Sequence, residues 1–264
     1  MDYKQLTLEL AKICRETGAF ILTESENFKK SSIELKKGFS DLVSYVDKEA
    51  ERRLVEALEV LLPGSGFIAE EGTGDKVEGG YNWIIDPLDG TTNFIHKLPV
   101  FAVSVGLIKG DELVSGVVFE INRDECFYAW KGGGAFCNEL PIKVSNVTTL
   151  DGSLLATGFP YYDFDQMERY LKILDALMKQ THGLRRMGSA AVDLVYTACG
   201  RFEGYFEYNL NSWDVAAGIL IVQEAGGTVT DFKGGDDFLF GRELIAGGAV
   251  HQKLFGEIKK YWRH

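Results

Sequence analysis

The sequence has few of the residues that mark zinc, disulfide-rich or membrane proteins. Its four cysteines lie far apart and form no C-x-x-C pair, and its four histidines are equally dispersed (Cys14, Cys126, Cys137, Cys199; His96, His182, His251, His264). A zinc site or a disulfide framework is therefore not expected. No apolar run approaches the roughly eighteen residues of a membrane span, and charges interrupt residues 1–20 where a secretory signal would be apolar. These absences predict a soluble, cytoplasmic protein without a membrane partner.

Positive charge is also scarce. The 39 Asp and Glu residues outnumber the 28 Lys and Arg residues, which gives a formal net charge of -11. Binding to a phosphate backbone needs clustered basic residues, so this balance argues against a nucleic-acid partner. Walker A, G-x-S-x-G and H-E-x-x-H motifs do not occur. The segment GSGFIA (64–69) matches a dinucleotide fingerprint, but the pattern predicts a helix before it and a strand after it, which is the reverse of the required order.

Hydrophobic spacing predicts a mixed α+β protein. Apolar residues recur at helical spacing over 3–24 and over 42–62, and alternating runs joined by short polar turns predict successive hairpins between 101 and 137. The other predicted elements are strands at 66–71, 81–86, 153–159, 183–185, 202–208 and 243–248, and helices near 93–96, 166–179, 188–199, 214–225 and the C-terminus. We expect one layered domain over residues 1–264, with a candidate subdomain boundary near 138–152, where the chain is polar and rich in turn residues.

The stretch YNWIIDPLDGTT (81–92) places two aspartates at the end of a predicted buried strand. On a straight strand, side chains three residues apart would lie roughly 10 Å apart and on opposite faces, since each residue rises about 3.3 Å. Pro87 and Gly90 allow the chain to bend, so that Asp86 and Asp89 can converge on one ion. A simple turn, in which an aspartate caps the backbone, is the alternative that this pattern leaves open.

Other acids also stand at the ends of predicted elements. Glu70 and Glu71 end a short strand, where a solvated surface pair is the alternative, and Asp214 opens an apolar helix, where a helix cap is the alternative. Asp41 and Asp47 add two more acids at the start of the second helix. Carboxylates without histidine or cysteine suit hard cations, so the set favours Mg²⁺ or Mn²⁺ over zinc. Such a cation beside a helix N-terminus is suited to phosphoryl hydrolysis.

Two long motifs resemble the signatures of the inositol monophosphatase family. WIIDPLDGTTNFIHKLPVFAVSVGL (83–107) resembles the first signature, and WDVAAGILIVQEAGG (213–227) resembles the second. DLVSYVD (41–47), FIAEE (67–71) and KGGGAFCN (131–138) fall in the expected order and spacing, so the resemblance covers nearly the whole chain. The D-P-x-D-G-T core is shared with the wider lithium-sensitive superfamily, whereas the T-N-F-x-H continuation is more specific for the inositol branch.

The resemblance implies a layered αβαβα sandwich of the inositol monophosphatase and fructose-bisphosphatase type, lithium sensitivity and a homodimer. It implies Mg²⁺ as the cofactor, with two or three ions per active site. The implied metal ligands are Glu70, Asp86, the Leu88 carbonyl, Asp89 and Asp214, with the Thr91 hydroxyl completing the first sites. The implied catalytic residues are Glu70, Thr91 and Asp47, the last two acting on the attacking water. The implied substrate contacts are Asp89, the N–H groups of Gly90 and Thr91, the Ala190 backbone, Glu207 on inositol hydroxyls, and Asp214.

The implied activity is hydrolysis of myo-inositol 1-phosphate to inositol and phosphate by metal-activated water, without a side-chain nucleophile. One departure lies on the substrate side. Family members with inositol specificity often carry serines after the strand at 153–157, whereas this chain has GFPYY (158–162). A related phosphatase acting on fructose 1,6-bisphosphate, histidinol phosphate or a dinucleotide phosphate is therefore one alternative. Another is an interaction protein with weak activity, since some bacterial relatives bind transcription machinery; the complete set of acids favours the enzyme.

Overall fold

The computed structural model describes residues 1–28, 33–38, 41–161 and 163–262, which contain seven helices and fourteen strands. The helices are α1 (Tyr3–Asn27), α2 (Tyr45–Leu61), α3 (Thr91–His96), α4 (Met167–Met178), α5 (Ala190–Ala198), α6 (Ser212–Glu224) and α7 (His251–Tyr261). The strands are β1 (Ile33–Gly38), β2 (Asp41–Ser44), β3 (Gly66–Ala69), β4 (Tyr81–Asp89), β5 (Ala102–Lys109), β6 (Glu112–Glu120), β7 (Glu125–Trp130), β8 (Ala135–Cys137), β9 (Leu140–Pro141), β10 (Leu154–Thr157), β11 (Gly183–Arg185), β12 (Gly204–Tyr208), β13 (Thr228–Thr230) and β14 (Glu243–Gly247). Tyr162 and His264, which the sequence analysis names, lie outside the described residues.

Two sheets form the framework of the molecule. The first has seven strands in the order β3-β4-β5-β6-β7-β8-β9, and its pairs are antiparallel except for β3 with β4. The second has five strands in the order β11-β10-β12-β14-β13, of which the first three run parallel and the last three alternate. The hairpin β1–β2 stands apart from both sheets. Residues 142–153 connect the two sheets, and the subdomain boundary expected near 138–152 stays a prediction.

Helices and sheets alternate in five layers. α1 and α2 pack together on one face of the first sheet, α5 and α6 lie between the two sheets, and α4 and α7 cover the outer face of the second sheet. Each of the three helix layers packs against its sheet or sheets through a large apolar core. The α+β layered sandwich expected from the sequence is therefore confirmed.

The apolar composition of helix α6 suits its position between the two sheets. Residues 215–222 are all buried, as a helix with a sheet on either side requires. Gly106 and Gly116 on the first sheet lie against this helix, and a Cβ added at Gly116 would come within 3.0 Å of the Ala217 backbone. Glycine in these two strands therefore lets the helix lie directly on the sheet.

Most predicted elements occur within a few residues of their predicted bounds, but two boundaries are wrong. The second helix begins at Tyr45 rather than at residue 42, because Ser44 caps it: Val46 N donates to Ser44 Oγ over 3.1 Å, and Ser44 N donates to Asp47 over 2.8 Å. The strand predicted over 66–71 ends at Ala69. The hairpin β1–β2 and the strands β9 and β13 are absent from the prediction.

Gly116→Ala should destabilise the fold by overpacking the junction of α6 with the first sheet. An added methyl group in a closely packed core costs about 1–3 kcal/mol, and the atoms it would meet here belong to the Ala217 backbone. Urea unfolding gives the measurement. Gly256→Ala is the matched control, because Gly256 is exposed on α7 and an added Cβ meets nothing within 4 Å. Equal stability of the two variants would contradict the close approach of α6.

Candidate active site

A bulge in β4 brings Asp86 and Asp89 to one side of the strand. Asp86 pairs with Ser104 and Asp89 pairs with Ala102, so β4 has one residue more than β5 over this stretch. An extra residue shifts the alternation of side chains, and residues three apart then share a face. Pro87, which has no N–H to donate to the ladder, lies within the bulge. Both aspartates line the same cavity, as the bent chain predicted from the sequence requires.

The end of β3 adds a third acid beside Asp86. β3 runs parallel to β4, and Glu70 N donates to Ile85 O over 3.1 Å. Ala69 pairs with Ile85, so Glu70 and Asp86 stand side by side at the next position of the register. The backbone N–H of the next residue, Glu71, donates to the buried Glu51 carboxylate over 2.7 Å. Of the predicted glutamate pair, Glu70 belongs to the cavity wall.

Two helix N-termini hold the remaining acids. Asp89 Oδ2 accepts hydrogen bonds from Ser189 Oγ and Ala191 N at the start of α5, both at 2.7 Å. Asp214 is in the first turn of α6, and its Oδ2 accepts a hydrogen bond from Asn211 N over 2.6 Å. Asp214 therefore does take part in capping its helix, as the simpler sequence interpretation proposed, and it also lines the cavity.

Thr91 links the cavity to a buried acid behind it. Thr91 Oγ1 lies 3.0 Å from Asp47 Oδ1 and 3.1 Å from Leu88 O, and its single proton can be donated to one of them at a time. Asp47 is 1% exposed, and its other oxygen accepts a hydrogen bond from Ser44 Oγ over 2.7 Å. Leu88 is fixed in turn, since its N–H donates to Asp86 Oδ1 over 3.0 Å. These bonds give the Thr91 hydroxyl a defined position at the wall.

One cavity of about 500 Å³ gathers these elements. Its wall includes nine residues that the sequence analysis singles out, which are Glu70, Asp86, Leu88, Asp89, Gly90, Thr91, Ala190, Glu207 and Asp214. Asp47 joins them through its hydrogen bond with Thr91. The structure thus brings all the predicted site residues together, while the role of each one stays a prediction. Asp41 belongs to β2.

The gathered acids raise one another's pKa values. Burial is the main reason that the pKa of Asp86 lies well above its usual value, and the carboxylates of Glu70, Asp89 and Asp214 add to the effect. Burial also raises the pKa of Asp89 to about 6, although the hydrogen bonds from α5 oppose the shift. The pKa of Asp214 is raised well above its usual value by burial and by the Asp89 carboxylate. Negative charge is therefore costly in this part of the cavity.

Glu207 reaches the opposite part of the wall from β12. Its Oε2 accepts a hydrogen bond from the Tyr205 hydroxyl over 2.7 Å, and Tyr205 is fully buried. Burial raises the pKa of Glu207 to about 7, against the influence of that bond and of Arg186. The strand delivers the carboxylate to the cavity as the sequence analysis expects.

Three further wall residues are not predicted from the sequence. Arg186 donates to the Tyr161 hydroxyl over 2.7 Å, so that a cation and an aromatic ring stand near Glu207. Asp193 is 1% exposed, and its Oδ1 has no hydrogen-bond partner among the described residues. One signal for Asp193 is present in the sequence, since a single acid interrupts the apolar run of α5. Tyr161 lies in the GFPYY segment that the sequence analysis places on the substrate side, but its contact with Arg186 arises only through the fold.

The inositol monophosphatase family model matches residues 2–263. The chain belongs to the inositol monophosphatase family. An inositol-1-monophosphatase of Rhizobium meliloti is 43% identical over 223 residues, which is 84% of each chain. A putative Nus factor SuhB of Neisseria meningitidis serogroup B is 43% identical over 236 residues, covering 89% of this chain and 90% of that protein. The crystal structure of the extragenic suppressor protein suhB from Bartonella henselae superposes with a TM-score of 0.89 at 38% identity, covering 96% of this chain and 97% of that one.

Membership of the inositol monophosphatase family confirms the resemblance drawn from the two motifs. Both motifs contribute to the cavity, the first through residues 86–92 and the second through residues 213 and 214. The relatives' names include both a phosphatase and a Nus factor. Among the described residues, none of the helices has the length and apolar character needed to cross a membrane.

Asp86→Asn should stabilise the folded chain in a chelator at pH 8. Because the pKa of Asp86 is higher in the folded chain than the value of about 3.9 expected when unfolded, stability is lost as the pH rises through the folded-state pKa. Asparagine keeps an oxygen for the Leu88 N–H but carries no charge. We expect the melting temperature in EDTA to rise by at least about 2–4 °C at pH 8, the shift that about 1 kcal/mol produces in a chain of this size.

The gain should be smaller at pH 5 than at pH 8, because the raised pKa of Asp86 favours its uncharged form as the pH falls. Asp111→Asn serves as the control, since Asp111 is an exposed acid outside the cavity wall, and it should leave the melting temperature unchanged at both pH values. A lower melting temperature for Asp86→Asn at pH 8 would mean that the charged carboxylate stabilises the fold.

Proposed function

We propose that this chain is a Mg²⁺-dependent phosphomonoesterase that hydrolyses myo-inositol 1-phosphate to inositol and phosphate, as a cytoplasmic homodimer. The observation that carries the proposal is the convergence of four carboxylates from β3, β4 and α6 on one cavity, which also contains Thr91 and Glu207. Membership of the inositol monophosphatase family supports it. So does the name of the Rhizobium relative, an inositol-1-monophosphatase.

The donor set of the cavity suits Mg²⁺. The proposed ligands, which are the carboxylates of Glu70, Asp86, Asp89 and Asp214 and the Leu88 carbonyl, are all oxygens, as a hard cation prefers. In the described part of the chain, no group of three or more acidic, histidine or cysteine side chains is arranged to hold an ion as it stands. Asp86, Asp89 and Asp214 each accept a backbone N–H instead. Their shared burial supports a cation site, because acids that raise one another's pKa values in one wall would be stabilised by a cation.

The chain's own part in activating water falls to Thr91, Asp47 and Glu70. A bound Mg²⁺ would polarise the phosphate and lower the pKa of water. The Thr91 hydroxyl, which donates to Asp47, would accept a hydrogen bond from the attacking water and so orient it. Burial raises the pKa of Asp47 although hydrogen bonds from Ser44 and Thr91 oppose the shift, and a raised pKa suits a group that takes up a proton relayed through Thr91. Glu70, beside Asp86, would be a second proton acceptor.

The substrate contacts divide between phosphate and polyol. The backbone N–H groups of Gly90 and Thr91 would hold the phosphate at the start of α3. Gly90 has φ +98°, and a Cβ there would lie 2.9 Å from Val100 O, so this turn needs glycine. On the other side, Glu207 and the backbone at Ala190 would contact the inositol hydroxyls.

A second candidate function is binding to the transcription machinery, as some bacterial relatives do. The observation that favours it is the name of the Neisseria relative, a putative Nus factor at 43% identity. The two functions are compatible, since the acids proposed for catalysis line the cavity or lie directly behind it. Co-purification of the chain with RNA polymerase, repeated with the inactive Asp86→Asn variant, would separate partner binding from catalysis.

Phosphate release should require Mg²⁺. We expect activity on inositol 1-phosphate to disappear in EDTA and to return with Mg²⁺, whereas Zn²⁺ should replace it poorly and Li⁺ should inhibit. A panel of phosphomonoesters that includes fructose 1,6-bisphosphate, histidinol phosphate and a dinucleotide phosphate measures the substrate preference in the same assay. Full activity in metal-free buffer would overturn the proposal. A stronger preference for another member of the panel would replace inositol 1-phosphate as the substrate.

Glu207→Ala should lower kcat/KM for inositol 1-phosphate by roughly tenfold to a hundredfold, because a hydrogen bond to a charged group contributes about 1.5–3 kcal/mol. Hydrolysis of para-nitrophenyl phosphate should fall far less, since this substrate has no vicinal hydroxyls. Glu112→Ala is the matched control, as Glu112 is a glutamate at a strand end outside the cavity wall. Equal losses on both substrates would show that Glu207 supports the site as a whole rather than the polyol.

A further inference from the structure

Gly158 and Glu207 touch across two parallel strands of the second sheet. β10 and β12 pair with Thr157 opposite Phe206, so that Gly158 and Glu207 stand at the next position in the register. A Cβ built on Gly158 would lie 2.0 to 2.1 Å from three atoms of the Glu207 carboxyl group. Real Cβ atoms do not approach other heavy atoms this closely. The carboxylate therefore occupies the space that any side chain at position 158 would fill.

The backbone itself does not require glycine at this position. Gly158 is not among the residues with positive φ, whereas Gly90 and Gly188 are. An alanine could adopt the same backbone conformation without strain. Glycine at position 158 provides space instead. Because Gly158 is buried next to Glu207, the Glu207 carboxylate fills that space.

The Glu207 carboxylate is also fixed by what surrounds it. The hydroxyl of Tyr205, a residue with no exposed surface, donates to Glu207 Oε2 over 2.7 Å. Arg186 attracts the carboxylate, and its own guanidinium donates to Tyr161. The three atoms nearest to an added methyl group all belong to the end of one flexible side chain, that of Glu207. We therefore expect a side chain at position 158 to displace the carboxylate without unfolding the chain.

We propose that Gly158 is a positioning residue that determines substrate specificity. Because glycine has no side chain, the Glu207 carboxylate can occupy the space beside it, and from that position the carboxylate accepts hydrogen bonds from a polyol phosphate. The inference rests on the proposed function of Glu207 and adds that Glu207 requires a glycine at position 158. In this chain the group that would contact the polyol is the Glu207 carboxylate, which packs against the Cα of Gly158.

Gly158→Ala is the variant that tests the proposal, with Glu207→Ala and the double variant beside it. For inositol 1-phosphate we expect Gly158→Ala to lower kcat/KM by roughly tenfold or more, in the range of a lost hydrogen bond to a charged group, and to lower hydrolysis of para-nitrophenyl phosphate far less. The double variant should be little worse than Glu207→Ala, since two changes that act through one group do not add. Gly256→Ala, on the exposed face of α7, should leave both activities unchanged.

A rescue experiment separates displacement of Glu207 from a general disturbance. Glu207→Asp shortens the side chain by one methylene and withdraws the carboxylate from the added methyl, so Gly158→Ala with Glu207→Asp should be more active on inositol 1-phosphate than Gly158→Ala alone. A crystal structure of Gly158→Ala should show the Glu207 carboxylate moved from its hydrogen bond with Tyr205. An unmoved carboxylate, or losses that add fully in the double variant, would overturn the role of Gly158. Wild-type protein with no preference for a polyol phosphate over para-nitrophenyl phosphate would overturn the proposed function itself.

Discussion

The geometry of the site depends on the extra residue in β4. In a regular strand Asp86 and Asp89 would face opposite sides of the sheet, since side chains alternate. The bulge restores them to one face, and each then meets a different neighbour. Asp86 stands beside Glu70 at the end of the parallel strand β3, and Asp89 meets the N-terminus of α5. A shift of one residue in this strand would remove the hydrogen bonds that join Asp89 to the N-terminus of α5.

Helix N-termini allow so many buried acids to share one wall. α3 begins at Thr91, α5 at Ala190 and α6 at Ser212, and residues in the first turn of each helix line the cavity. A helix N-terminus carries partial positive charge and N–H groups without partners in the helix. Asp89 uses one such N–H at α5, while Asp214 accepts the N–H of the residue that precedes α6. These bonds offset only part of the cost of burial, as the raised pKa values of the acids indicate. The same helix ends suit the phosphate of a substrate.

Local patterns predict the half of the site that depends on neighbours in sequence. Asp86 and Asp89 could be predicted to converge because Pro87 and Gly90 mark a break in a buried strand. Asp214 could be predicted because it opens an apolar helix. The contacts of the other half join residues far apart in the chain, such as Arg186 with Tyr161 and Gly158 with Glu207. They follow from the order of strands in the second sheet, which periodicity does not reveal. The layered fold was predictable, since it requires only the types of the elements and their order.

The two sheets contribute different parts of the proposed chemistry. The first sheet supplies Glu70, Asp86 and Asp89, whereas β10 and β12 of the second sheet bring Gly158 and Glu207 to the cavity. Ser189 joins the two parts, because its hydroxyl at the start of α5 donates to Asp89, a hundred positions earlier in the chain. In the proposed function, the glycine and aromatic residues that follow β10 would bear on the choice of substrate, and the reaction would depend on the bulge in β4 and on the helices that begin beside it.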